Sequence, residues 1–168
     1  YVVSGTCSEP ARTVTVNVGG VTGTPTCSSS AWTTTLNVTA VVDSANVTIT
    51  ANHSDSVGNN ANQASVTVVK DTLIPTVTIT SSPTINSANR LAYTISGACS
   101  ENARTVSVNV GGVTATPTCS SLAWSATLNV NGVADGASVS VTANHTDAAG
   151  NAATTASTTV AKDTVIPT

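Results

Sequence analysis

Three kinds of residue in this sequence could form disulfides, bind a metal ion or take part in catalysis. They are four cysteines, eight Asp and Glu residues, and two histidines. The cysteines form two pairs with equal spacing, Cys7 with Cys27 and Cys99 with Cys119. Two thiols without a matching pair of histidines make a poor tetrahedral zinc site, so a disulfide within each pair is favoured. In the chain-entropy model each bridge would contribute about 3 kcal/mol, and paired cysteines indicate an oxidising compartment.

The two histidines each precede an aspartate by two residues, His53 before Asp55 and His145 before Asp147. On a strand such residues point to the same side, as a general base and the residue that orients it would require. No activated nucleophile stands nearby in the sequence. A structural hydrogen bond at a strand end is therefore preferred, and we expect no enzymatic activity.

An internal repeat organises the whole chain. Residues 1 to 76 align without a gap on residues 93 to 168, a period of 92 (93 − 1), with about two thirds of the 76 positions identical. The pairing of each cysteine within its own copy respects this repeat. The repeat predicts two domains and two linkers: residues 1–71, a linker at 72–76, residues 77–163, and the start of a second linker at 164–168.

The first copy has no counterpart of residues 77 to 92, which open the second copy. We therefore expect its first strand to be missing. Either these residues were cut from a longer array, or the first domain has an open groove that awaits a strand from another chain.

The composition favours strands and excludes several functions. Charged residues make up 8% of the chain, Phe and Met are absent, and Val, Thr, Ala, Ser and Asn dominate, which is typical of short strands and turns. The net charge of −3 and the lack of a basic patch argue against a nucleic-acid partner. No apolar run is long enough to span a membrane in this segment.

Alternating apolar residues predict the strands of each copy. Val106, Val108 and Val110 share one face, and Trp124 begins a second inward-facing series. The Gly111-Gly112 pair between two valine-rich runs predicts a two-residue hairpin. Seven short strands separated by turn signals, beginning with a first strand at residues 77 to 80, predict an all-β Greek-key sandwich for the complete copy. We also expect Trp32, Trp124, Tyr1 and Tyr93 to pack in the cores rather than to bind sugars.

A short segment joins the copies and recurs after the second one. Lys70 to Thr76 reads KDTLIPT, and Lys162 to Thr168 reads KDTVIPT. Pro75 holds the preceding residue extended and prevents a helix, so the segment is expected to act as a taut spacer rather than a flexible tether.

Strand alternation predicts that scarce carboxylates meet where one domain enters the next. The loops that carry Glu101 and Asp147 would return to the pole at which the linker with Asp71 arrives. Converging carboxylates repel one another unless a cation lies between them, and calcium prefers such oxygen ligands. The alternative is that Asp71 and Asp147 cap turns while Glu101 pairs with Arg104.

Four motifs carry a resemblance to a known family: Ser-Gly-x-Cys-Ser-Glu near the start of each copy, Ala-Trp-(Ser/Thr), Asp-x-x-Gly-Asn and Asp-Thr-x-x-Pro-Thr. The chain resembles the bacterial immunoglobulin-like repeats of large surface adhesins and biofilm-associated proteins. The resemblance implies immunoglobulin-like sandwiches in tandem, with calcium at the junctions. The metal positions that it implies are Asp71, Glu101, Asp147, Glu9, Asp55 and Asp163.

These observations predict a structural segment of an extracellular bacterial adhesin or surface fibre, a stiff extender rigidified by calcium. It would contact the neighbouring repeats of the same chain, and it could also associate laterally with further copies of itself. Two other functions stay open: a module that binds carbohydrate or a host protein through its loops, and a filament subunit assembled by strand donation.

Overall fold

The computed structural model describes all 168 residues, Tyr1–Thr168, and consists of strands, bridges and turns without any helix. It therefore contains no helix that could cross a membrane. The chain divides into two compact units, Tyr1–Thr72 and Leu73–Thr168, which we call unit 1 and unit 2.

Unit 1 contains six antiparallel strands in two sheets. The strands are β1 (Val2–Thr6), β2 (Val14–Val18), β3 (Val21–Gly23), β4 (Ala31–Thr35), β5 (Ser44–His53) and β6 (Ala64–Lys70). One sheet pairs β1 with β4, and the other has the order β3-β2-β5-β6.

Unit 2 repeats this arrangement. Its strands are β7 (Tyr93–Ala98), β8 (Val106–Val110), β9 (Val113–Ala115), β10 (Ala123–Leu128), β11 (Gly136–His145) and β12 (Ala156–Lys162). One sheet pairs β7 with β10, and the other has the order β9-β8-β11-β12. The predicted all-β sandwich is confirmed in both copies.

Glycine pairs form the hairpins that connect β2 with β3 and β8 with β9. Gly111 and Gly112 have φ values of 57° and 95°, a left-handed conformation that favours glycine. The hairpin sets the register in which Val110 faces Val113 and Asn109 faces Thr114. The predicted hairpin is thus confirmed.

The core of unit 2 lies between its two sheets and is built mainly from aliphatic side chains. Val106, Val108 and Val110 are completely buried, as their alternation predicted. Trp124 is 2% exposed and faces the same interior. The corresponding core of unit 1 includes Trp32.

The two cysteine pairs form disulfides as predicted, Cys7 with Cys27 and Cys99 with Cys119. No cysteine is free. All four sulfurs belong to buried residues, so the bridges are part of the cores that the sparse aromatic content leaves small.

The first strand predicted at Val77–Thr80 is not continuous. It pairs with β7 through two separate bridges, Val77 with Cys99 and Ser81 with Ser96. The amides of Thr80 and Ser81 both donate to the Ser96 carbonyl, at 2.9 and 3.1 Å, and this shared acceptor interrupts the regular ladder.

Beyond this interruption the chain changes sheet. Pro83 has no amide hydrogen to donate, and two residues later Ile85 pairs in parallel with Lys162 of β12. Residues 76 to 85 of unit 2, which we call the entry segment, therefore contact both sheets.

The prediction that Tyr1 packs in a core was wrong, whereas that for Tyr93 is confirmed. Tyr93 is fully buried and its hydroxyl donates to the carbonyl of Pro83 at 2.8 Å. Tyr1 is 51% exposed. Tyr93 is buried because the entry segment covers it.

Candidate functional site

The loop that follows β11 is organised around Asp147. Its Oδ1 accepts the Asn151 amide at 2.7 Å, and its Oδ2 accepts the Asn151 side-chain amide at 2.8 Å. The Asp147 amide in turn donates to the Asn151 carbonyl at 3.0 Å. Asp147 is 1% exposed, so its carboxylate closes the loop from inside.

The pKa of Asp147 reflects two opposing effects. Burial of the carboxyl group acts to raise the pKa, but the hydrogen bonds from Asn151 and from loop amides outweigh it and leave the pKa below its usual value. Asp55 of unit 1 has the same arrangement, since Asn59 donates to both of its oxygens at 2.8 and 2.7 Å. Hydrogen bonds from the Asn59 side chain and backbone lower the pKa of Asp55 as well.

Arg104, two residues before the start of β8, binds the backbone of this loop through its guanidinium group. Its Nε donates to the carbonyl of Thr146 at 3.0 Å and its Nη2 to the carbonyl of Asp147 at 2.7 Å. The suggested pairing of Glu101 with Arg104 was therefore wrong, because the planar guanidinium matches two adjacent carbonyls instead. Arg12 binds the carbonyls of Ser54 and Asp55 in the same way in unit 1.

Glu101 reaches the Asp147 loop through a different atom. Its Oε2 accepts the amide of Ala148 at 3.3 Å, so the two loops predicted to share a pole of unit 2 do meet. Sequence reasoning placed these two carboxylates together correctly. It did not anticipate that the loop's own donors would occupy them.

Two of the predicted calcium ligands, Glu101 and Asp147, lie in unit 2. No group of three or more His, Cys, Asp or Glu residues lies close enough to hold a metal ion. Both Asp147 oxygens accept hydrogen bonds from Asn151, and Arg104 occupies the adjacent carbonyls. Calcium needs six to eight free oxygens, so this loop in its present conformation does not fit the ion. The assignment of metal-ligand roles stays a prediction for all six positions, Glu9, Asp55, Asp71, Glu101, Asp147 and Asp163.

His145 holds the start of the entry segment. Its Nε2 lies 2.9 Å from the carbonyl of Thr76, to which it donates, while Nδ1 is buried without a partner. Thr76 also donates to the Ser100 hydroxyl at 2.9 Å and accepts from the Ser100 amide at 3.0 Å. Asp147 bonds Asn151 rather than this histidine, so the spacing of His145 and Asp147 produces the strand-end hydrogen bond that was preferred.

The opposite end of unit 2 carries a cluster that sequence reasoning missed. Asp135 accepts a hydrogen bond from Lys162 Nζ at 2.7 Å, and Thr164 donates to it through its amide at 3.1 Å and its hydroxyl at 2.9 Å. The Lys162 side chain is 3% exposed. We call Asp135, Lys162 and Thr164 the exit clamp, because it ties the end of β12 to the corner before β11.

The exit clamp lowers the pKa of Asp135 to about 2, first through the hydrogen bond from Lys162 and then through the Thr164 amide. Unit 1 has the same clamp, since Asp43 binds Lys70 and also accepts the Thr72 amide and hydroxyl, both at 2.8 Å. The pKa of Asp43 is likewise lowered to about 2. The recurrence of Asp, Lys and Thr at equal spacing in both copies was the signal that could have identified it.

No family model matches the sequence, and no curated protein matches it. Several solved structures share the fold. A segment of a 1.5-MDa bacterial ice-binding adhesin, studied for host cell surface retention, matches with 22% identity and a TM-score of 0.51 over 98% of this chain and 58% of that one. A calcium-stabilised adhesin that helps an Antarctic bacterium to bind ice matches with 24% identity and a TM-score of 0.54 over 98% and 44%.

Fibronectin(III)-like modules of Clostridium thermocellum CbhA match with 15% identity and a TM-score of 0.51 over 96% of this chain and 86% of that one. The chain spans about half the length of the two adhesin structures. These likenesses confirm, at the level of the fold, the resemblance to bacterial immunoglobulin-like adhesin domains.

Proposed function

We propose that this chain is a structural repeat segment of a long extracellular bacterial adhesin or surface fibre, in which its units act as extenders. The observation that carries the proposal is the duplication of the same three fastenings in both units. Each unit has one disulfide, one loop closed by an aspartate and an arginine, and one exit clamp.

Hydrogen bonds hold the chain at both places where tension would enter and leave an extender unit. In unit 2, Thr76 is held by His145 and Ser100 where the chain enters, and Thr164 is held by Asp135 where it leaves. A fibre segment transmits tension through these two ends of each unit. Fixing the entry and the exit to the sandwich keeps the terminal residues from peeling away first.

The pairing between the entry segment and β12 also suits tension. The Ile85 amide donates to the Ala161 carbonyl at 2.9 Å, and the Asp163 amide donates to the Ile85 carbonyl at 3.0 Å. These elements run parallel, so pulling on the entry and the exit slides one along the other. Their hydrogen bonds must then break together rather than one after another, which raises the force needed.

The scaffold role is favoured over a loop-based binding module by the likeness of the loops. Glu9 and Glu101 hold equivalent positions, as do Asp55 and Asp147, and the loops around both aspartates are closed by the same hydrogen bonds. A recognition loop would need side chains free to contact a ligand. The carboxylates of Asp55 and Asp147 accept hydrogen bonds within their own loops instead.

Immunogold electron microscopy of cells that produce the chain tests the proposal. An antibody raised against residues 1 to 168 is expected to label threads outside the cell surface, as the disulfides and their oxidising environment support. Labelling confined to the cell interior would contradict it. Omission of the primary antibody provides the background control.

Calcium is proposed as a separate stiffening element of the fibre, with Asp71 as one of its ligands. Calorimetric titration of the chain with calcium is expected to give a heat that Asp71→Ala removes. Thr67→Ala is the control, since it changes an exposed residue outside the predicted ligand set. Absence of heat at micromolar calcium would remove the ion from the proposal and leave the extender role intact.

A further inference from the structure

The turn between β10 and β11 contains an asparagine followed by a glycine, Asn131 and Gly132, which we call the Asn-Gly pair. No other asparagine of the sequence is followed by glycine. Both residues are exposed. Asparagine is a thermolabile residue, because its side-chain carbonyl carbon can be attacked by the next backbone nitrogen to close a succinimide ring. A glycine at the second position has no Cβ to obstruct this closure.

Neither reacting group of the Asn-Gly pair is engaged elsewhere. The Asn131 backbone amide donates to the Asn129 side chain at 3.1 Å. The Val133 amide donates to the Val130 carbonyl, also at 3.1 Å. The Gly132 amide between them donates no hydrogen bond, and the Asn131 side chain neither donates nor accepts one. A side chain built at Gly132 would meet nothing within 4 Å, so the turn leaves room for the ring to close.

Other asparagines of unit 2 are held by their own loops. The Asn151 side chain donates to Asp147 at 2.8 Å, and the Asn144 side chain donates to Thr155 at 2.6 Å. Both asparagines are followed by residues with a Cβ, alanine and histidine respectively, which obstructs ring closure. The Asn-Gly pair therefore differs from them both in its neighbour and in its lack of side-chain hydrogen bonds.

The equivalent turn of unit 1 has the same construction without the reactive residues. Thr39 and Ala40 stand at the positions of the Asn-Gly pair. The Val41 amide donates to the Val38 carbonyl at 3.0 Å, as the corresponding residues do in unit 2. Threonine has no amide carbon to be attacked. Unit 1 thus provides an internal comparison for the reactivity of unit 2.

We infer that Asn131 is a site of spontaneous covalent modification. The Gly132 nitrogen loses its proton to solvent and attacks Cγ of Asn131. The new N–Cγ bond closes a succinimide ring, and the Cγ–Nδ2 bond breaks with release of ammonia, which takes up a proton from solvent.

Water then adds to one of the two ring carbonyls and opens the ring. Addition at Cγ gives aspartate, and addition at the former backbone carbonyl gives isoaspartate, whose backbone runs through the side-chain carbon. The reaction consumes only water and needs neither an oxidant nor an enzyme. The inference does not depend on the proposed adhesin role.

The isoaspartate product would disturb a contact that packs unit 2. Val133 is half-buried against the core, and a side chain added at Gly111 would meet its Cγ1 at 2.5 Å. The extra backbone carbon lengthens the stretch that the hydrogen bond between Val130 and Val133 closes. Val133 is then expected to withdraw from the Gly111 hairpin, while a negative charge is added to the turn. Unit 2 should therefore lose stability with age, and unit 1 should not.

Peptide mapping of the purified full chain tests the inference. One sample is kept for days at mildly alkaline pH, where more of the backbone amide is deprotonated, and a matched sample at mildly acidic pH. Fragmentation of the tryptic peptide 105–162 is expected to locate a gain of about 1 Da at Asn131 in the alkaline sample. Isoaspartyl methyltransferase with labelled S-adenosylmethionine is expected to label the same peptide.

Two variants separate this mechanism from general ageing of the chain. Gly132→Ala introduces the residue that unit 1 carries at Ala40, and the open space and ordinary backbone conformation at Gly132 allow the unit to fold. The isoaspartyl label on peptide 105–162 is expected to be lost. Thr39→Asn/Ala40→Gly creates the pair in unit 1 and is expected to add a second labelled peptide, residues 13–70.

Three results would each overturn the inference. The first is an alkaline sample without a mass gain at Asn131, and the second is a gain that persists in Gly132→Ala. The third is a gain that occurs only in urea, which would show that the folded turn keeps the two groups apart. Urea unfolding of the aged chain measures the consequence, and a unit 2 transition equal to that of fresh protein would contradict the predicted loss of the Val133 contact.

Discussion

Reduction of the Cys99–Cys119 disulfide should lengthen the chain that unit 2 releases when it is unfolded by force. The bridge joins residues 20 positions apart whose Cα atoms lie 6.1 Å from each other in the folded unit. A fully extended chain spans about 3.5 Å per residue, so the enclosed loop would stretch to about 70 Å. The expected gain in contour length is the difference, about 64 Å.

Single-molecule force spectroscopy measures this gain directly. The full chain is placed between marker domains of known unfolding length, and the wild type is compared with the Cys99→Ser/Cys119→Ser double variant. One of the two unfolding steps should lengthen by about 64 Å in the variant. The other step should stay the same, because the Cys7–Cys27 bridge of unit 1 remains closed.

The reasoning would be refuted by equal step lengths in the wild type and the variant. That result would mean that the bridge does not enclose the loop in solution. Loss of folding in the variant is monitored independently by the buried Trp124, whose fluorescence reports the core of unit 2.

Two further predictions concern single residues of unit 2. Gly97→Ala should destabilise its unit by about 1–3 kcal/mol through overpacking against the Thr78 backbone. Gly5→Ala in unit 1 should cost less, because its side chain would meet the Trp32 ring at 2.7 Å rather than a backbone carbonyl at 1.8 Å; urea unfolding checks both. The pKa of Asp135 is lowered to about 2, so the exit clamp is complete above about pH 4 and is lost as the pH falls toward 2. Thermal unfolding should show this acid loss in the wild type, and Asp135→Asn should weaken it; an unchanged pH profile in the variant would contradict the assignment.

The strands and hairpins of this fold could be predicted because local patterns determine them. Val106, Val108 and Val110 alternate along a strand that exposes its other face, and Gly111-Gly112 permits the left-handed turn that reverses it. The disulfides followed from spacing and from the repeat. These features can be predicted without knowing which side chains from distant parts of the sequence form hydrogen bonds with one another.

The detail of the acidic loops could not be predicted for the opposite reason. The topology indicates that Glu101 and Asp147 lie at one pole. It does not indicate that Asn151 donates to both Asp147 oxygens. Nor does it indicate that Arg104 donates to backbone carbonyls rather than to Glu101. Each outcome depends on rotamers and on loop geometry that the sequence pattern does not contain. The burial of Tyr93 likewise depends on how the entry segment folds over it, which the pattern of residues 76 to 85 does not specify.

The shortness of β9 bears on how a chain of similar units avoids exchanging strands while it folds. β9 lies at the edge of its sheet and has three residues, and Pro117 soon follows it without an amide to donate. Tandem domains of similar sequence are prone to exchange strands with their neighbours during synthesis. An edge this brief offers a misplaced strand few hydrogen bonds, so this side of the sheet contributes little to such exchange.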